Sequence, residues 1–97
     1  MVKHVVMFKL TGTPKERRMA ADKFADALRK LPNVIDVLLN IEVGVNENPA
    51  EDWDLVLTAH LANMEDVKLY AAHPAHVAAA AIIKDCKAAR ACVDYEV

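Results

Sequence analysis

Val2-Lys3-His4-Val5-Val6-Met7-Phe8-Lys9-Leu10 reads as a β-strand that carries apolar side chains on both of its faces. Successive side chains of a strand point to opposite sides, so Val2, His4, Val6, Phe8 and Leu10 share one face and Val5 and Met7 the other. The stretch from Trp53 to Leu61 repeats the pattern, with Trp53, Leu55, Leu57, Ala59 and Leu61 alternating against Val56, Thr58 and His60. A sheet wetted on one side shows polar residues there. Both strands put apolar residues there, Val5 and Met7 in one and Val56 in the other, as central strands of a sheet covered on both sides would.

The flanking segments supply the rest of the fold. Thr13-Pro14-Lys15-Glu16 is a capping box with proline in the first helical position, a specific helix start. The helix behind it places Ala20, Phe24, Ala27, Leu28 and Leu31 on one stripe, and Leu31-Pro32-Asn33 stops it. Residues 34–43 alternate, with Ile35, Val37, Leu39, Ile41 and Val43 opposite Asp36, Asn40 and Glu42, which predicts a strand. Gly44 to Asp52 has the Asn, Glu and Pro content of a loop. Asn63 is placed to cap a helix running through Tyr70 and Ala72. A second helical piece is predicted from Pro74 to about Lys84, and Arg90 to Val97 predicts a last strand with Ala91, Val93, Tyr95 and Val97 on one side.

The order β-α-β-β-α-β predicts a single α+β domain over residues 1–97. It is the ferredoxin-like arrangement, a four-stranded antiparallel sheet with helices on one face. The helices cover one face only. The other would expose a larger apolar patch than monomers usually carry, so a second copy is expected to cover it. Two facing sheets, roughly 10 Å apart, then make a barrel-like dimer core.

Composition narrows the function. Twelve Lys plus Arg against fourteen Asp plus Glu give a net charge of −2, without the concentrated basic face that nucleic-acid binding requires. No apolar run reaches the roughly 20 residues of a membrane span, and the charged start does not resemble a signal peptide, so a cytoplasmic protein is expected. Cys86 and Cys92 are too few and too close for a disulfide framework or a zinc motif, and reduced thiols packed as small hydrophobes are expected.

The chemistry concentrates in Tyr70-Ala71-Ala72-His73-Pro74-Ala75-His76-Val77. Proline cannot continue a helix and disfavours helical backbone just before it, so His73 ends one helix and Pro74 opens the next. His76 then falls near the positive end of the new helix, which favours neutral imidazole. A neutral base beside a phenol suits acid–base work: His76 takes a proton alpha to a carbonyl and Tyr70 hydrogen-bonds the developing oxyanion. His4, and His73 at the break, are candidate substrate-binding residues. In the plainer reading, His73 and His76 satisfy backbone groups at the break and Tyr70 fills the core. The Ala78–Ala81 run either leaves volume for a ligand or lets a helix sit close to the sheet. No metal site is expected, because the break spoils the His73–His76 spacing and His60 faces away.

The chain resembles the stress-responsive A/B barrel domain family of the dimeric α+β barrel superfamily. Val2–Lys9, Glu42–Asn46, Trp53–Leu57, Tyr70–Val77 and Val93–Val97 carry the resemblance over nearly the whole length. It implies a ferredoxin-like protomer and a homodimer, but no single activity. A plant polyketide cyclase of the family performs a cofactor-free aldol condensation. Its catalytic tyrosine and histidine match Tyr70 and His76, and a pocket histidine matches His4; a further pocket histidine is replaced here by Leu55. The expectation is a homodimer that binds a small, partly apolar molecule between helices and sheet, with cofactor-free chemistry if it is an enzyme. The alternative is a non-catalytic stress-protective assembly protein.

Overall fold

The computed structural model describes residues Met1–Val97. Strand β1 (Val2–Leu10) leads to helix α1 (Pro14–Arg29), then β2 (Asn40–Val45), β3 (Leu55–Leu61), helices α2 (Met64–Ala72) and α3 (Pro74–Ala80), and β4 (Lys87–Glu96). The antiparallel sheet has the order β2-β3-β1-β4, so β1 and β3 are its central strands, as the two-sided apolar pattern requires.

Helix α1 begins where the capping box puts it. Thr13 accepts from the Glu16 N–H at 3.2 Å, and Glu16 accepts from the Thr13 N–H at 3.0 Å. Gly12 supplies the turn before it with φ +115°, a conformation that side chains resist. Asn63 caps α2, accepting from the Asp66 N–H at 2.9 Å. Helix α3 is capped by His73, whose Nδ1 accepts from the Ala75 N–H at 3.0 Å. The α2–α3 break therefore falls at His73–Pro74, and α3 passes into a 3-10 turn at Ala81–Ile83.

One core lies between helices and sheet. Val2, Val6, Phe8, Leu55, Leu57, Ala59 and Leu61 enter it from the central strands, and Ala21, Phe24, Ala25 and Leu28 from α1. Of the alanine run, only Ala79 is buried, which favours close helix packing over ligand volume.

Three boundaries differ from those expected. Residues 34–43 do not form one strand. A 3-10 turn at Leu31–Asn33 extends the helix end, and the strand starts only at Asn40. Ile35 and Leu38 are buried three residues apart, while Leu39, expected on the inner face, is 54% exposed. Strand β3 starts at Leu55, so Trp53 escapes the alternation. It lies under the Lys9 ammonium, 5.1 Å from the ring centre, beside Met7 and Val56 of the opposite sheet face. Strand β4 starts three residues early, at Lys87.

The sheet face away from the helices carries Val5, Met7, Val56, Ala91, Val93 and Tyr95, in registers Val5↔Val93, Met7↔Val56 and Met7↔Ala91. Met7, Val56, Val93 and Tyr95 are exposed in the single chain.

Candidate functional site

His4 of β1, Tyr70 of α2 and His76 of α3 converge between helices and sheet. The Tyr70 and His76 ring centres are 4.6 Å apart, and those of His4 and Tyr70 5.9 Å, both in edge-to-face contact. The helix break makes this possible. A new helix starting at Pro74 turns His76 back towards the last turn of α2.

Two polar atoms at the centre of the cluster are orphans. The Tyr70 hydroxyl and His76 Nδ1 are both buried, and neither meets a partner at good hydrogen-bond geometry, although the Ala71 carbonyl lies near enough to the His76 ring to act on it. A buried polar group left unpaired costs about 1–3 kcal/mol.

Burial sets their ionisation. It pushes the Tyr70 phenol up to about 12, against the opposing pull of the Arg90 charge. It also holds His76 below the ordinary histidine range, with the Ala71 carbonyl opposing it and the charges of His4 and Arg90 reinforcing it. His76 is therefore neutral at pH 7, as expected, but through desolvation chiefly. The tyrosine shift has a consequence in alkali. Because Tyr70 resists ionisation in the fold but not in the unfolded chain, its ionisation costs the fold nothing below pH 10 and draws stability away as pH rises from about 10 to about 12. Phenolate absorbance and unfolding free energy followed together are expected to show about 2–3 kcal/mol lost over that window. Tyr70→Phe should remove this loss.

His4 is buried and donates from Nδ1 to Asp94 Oδ1 at 2.5 Å. Cys92 Sγ lies 3.5 Å from the same nitrogen. Sequence reasoning missed Asp94 and Cys92 as site residues. The available signal was Arg90, Cys92 and Asp94 alternating on the β4 face opposite Val93 and Tyr95. Only the register His4↔Asp94 turns that signal into a site. His73 takes the plainer role, as the cap of α3, with its own N–H donating to the Tyr70 carbonyl at 3.2 Å.

The two principal surface depressions lie elsewhere. One, of about 320 Å³, is polar and is bounded by Arg17, Arg18, Glu47, Glu51 and Asp54. The other, of about 350 Å³, lies by Met7, Trp53 and Val56.

Residues 2–97 match the model of the stress responsive A/B barrel domain. The chain belongs to that family. A dimeric ferredoxin-like protein of unknown function from Bacteroides fragilis is 46% identical, with a TM-score of 0.95 over 99% of this chain and 95% of that one. A dimeric ferredoxin-like protein of unknown function from Thermobifida fusca is 30% identical, with a TM-score of 0.80 over 99% of this chain and 90% of its own. The hydroxynitrile lyase of Passiflora edulis, 13% identical with a TM-score of 0.78 over 99% and 92% of the two chains, shares the fold. No curated protein matches the chain. The dimeric relatives support a homodimer for this A/B barrel domain. No helix is long and apolar enough to cross a membrane.

Proposed function

We propose that this A/B barrel protein binds a small, partly apolar, carbonyl-containing molecule against Tyr70 and His76, between helices and sheet, and performs acid–base chemistry on it. The observation that carries this reading is the pair of buried, unpartnered polar atoms in contacting rings. Neutral His76 accepts the proton alpha to the carbonyl, and the Tyr70 hydroxyl donates to the enolate oxygen as charge develops there. A phenol that resists ionisation stays a donor throughout. The step needs no cofactor, and aldol cyclisation and isomerisation both begin with it. His4, held by Asp94, presents its ring edge to Tyr70 and contacts the substrate. His73 contributes through the cap that places His76.

The test is a thermal-shift screen of carbonyl-containing metabolites against wild type and His76→Ala. A ligand at a hundred times its Kd adds about 2.7 kcal/mol, several degrees in a domain of this size. The expected result is a shift in wild type that vanishes in the variant. Exchange of the ligand's alpha proton for deuterium, read by NMR, then reports the chemistry. If no compound gives a His76-dependent shift, the reading fails. One observation favours a second reading, a non-catalytic stress-protective assembly in which the dimer is the function: both principal depressions lie away from Tyr70 and His76. The same screen separates the two.

A further inference from the structure

We propose that His4, Cys92 and Asp94 form a binding site for a divalent ion of the zinc class, one per chain, on the helix-facing side of the β1–β4 pair. The donors are far apart in sequence, 90 residues from His4 to Asp94 and 88 from His4 to Cys92. Pairing brings them together. His4 stands opposite Asp94, and Cys92, opposite Val6, is its diagonal neighbour on the same face.

The donor set is an imidazole nitrogen, a sulfur and a carboxylate, the ligands zinc takes in proteins. All three donor atoms lie within 4.8 Å of one another. A tetrahedral zinc at ordinary bond lengths holds nitrogen and sulfur roughly 3.5 Å apart, and nitrogen and oxygen roughly 3.4 Å. Cys92 Sγ already stands 3.5 Å from His4 Nδ1 and 3.9 Å from each Asp94 carboxylate oxygen. Only the His4–Asp94 edge, at 2.5 Å, has to open. Asp94 is 25% exposed and sits on an edge strand, so its carboxylate has room to rotate. Three protein ligands would leave a fourth coordination position open.

The balance of charge agrees. Ligation through Nδ1 of a neutral His4 moves the ring proton to Nε2, and ligation by Cys92 releases the thiol proton, so binding releases one proton. A divalent ion supplies the positive charge that would hold the thiolate. Arg90, two residues from Cys92 on the same side of β4, works against the ion.

Cobalt(II) chloride titrated into the full chain, with thiols reduced, tests the site. A near-ultraviolet thiolate-to-cobalt band is expected, saturating at one ion per chain and displaced by zinc. Cys92→Ser should abolish it; Cys92 is exposed, so the fold tolerates the change, and far-ultraviolet circular dichroism checks that. Asp94→Asn should weaken binding at least about tenfold. Cys86→Ser and His76→Ala should leave the band in place, which separates this site from the acid–base pair. Absence of the band, its survival in Cys92→Ser, or its loss in Cys86→Ser overturns the assignment.

Discussion

Met7→Glu is expected to split the dimer into 10.7 kDa monomers, read as a halved mass by light scattering on a sizing column. Met7 sits in the middle of the open sheet face, directly opposite Val56 on one side and Ala91 on the other. Val5, Val93 and Tyr95 complete the surface around it. The nearest cation on that face is Lys9, two residues along the strand, and its ammonium is held over the Trp53 ring. A carboxylate buried there without a partner costs about 3–5 kcal/mol. That weakens association by about two to three and a half powers of ten for each copy of the charge. The dimer carries two copies, so the effects compound. The core between helices and sheet does not contain Met7, so the monomer should keep its circular dichroism spectrum while losing part of its melting temperature. A variant that remains dimeric would mean that the partner covers some other surface.

The same residues show how far the sequence could be followed. The two-sided apolar pattern of β1 and β3 is a direct consequence of their central place; the element order led to the layers and the central strands, and the pattern to the need for a partner. Helix starts were equally legible, because Thr13, Asn63 and His73–Pro74 act on the backbone within three residues of themselves. Apolar alternation misled where another periodicity imitates it. Ile35 and Leu38 fill the core from a turn, yet with Val37 and Leu39 between them the segment looks like a strand. Trp53 looked like an inner strand residue because its spacing to Leu55 is two; the strand has not begun there, and the indole packs on the other face.

The site divides along the same line. Tyr70 and His76 stand six positions apart and are joined by a break that proline announces, so their meeting could be foreseen. The partner of His4 comes from the far end of the chain. A register error of one residue would turn Asp94 to the opposite side of the sheet, and no local feature of the sequence fixes that register. The irregularity between Lys9 and Leu10, where the β1–β4 pairing shifts, is of this kind.

Tyr70→Phe is expected to stabilise the protein and to abolish ligand binding at once. The phenol is buried to 0% exposure, and its hydroxyl has no partner in the unliganded fold. Removing that oxygen therefore breaks no hydrogen bond, relieves a desolvation cost of about 1–3 kcal/mol, and leaves the ring's contacts with His4 and His76 in place. For a chain of this length each kilocalorie is worth about 4–8 °C in melting temperature, so a rise of at least about 4 °C is the expected reading. Tyr95→Phe is the control: that ring stands 44% exposed on the open sheet face, and its hydroxyl is no part of the cluster. A group whose loss strengthens the fold is there for something other than folding, which is the pattern of active sites that hold strain or unmet polarity for use on a substrate. Thermal shifts by the carbonyl ligands should disappear in the same variant. A lowered melting temperature would show instead that an internal water completes the hydroxyl's bonding and that Tyr70 is a structural member of the core. In that event the acid–base reading of the pair loses its footing, whatever becomes of the dimer.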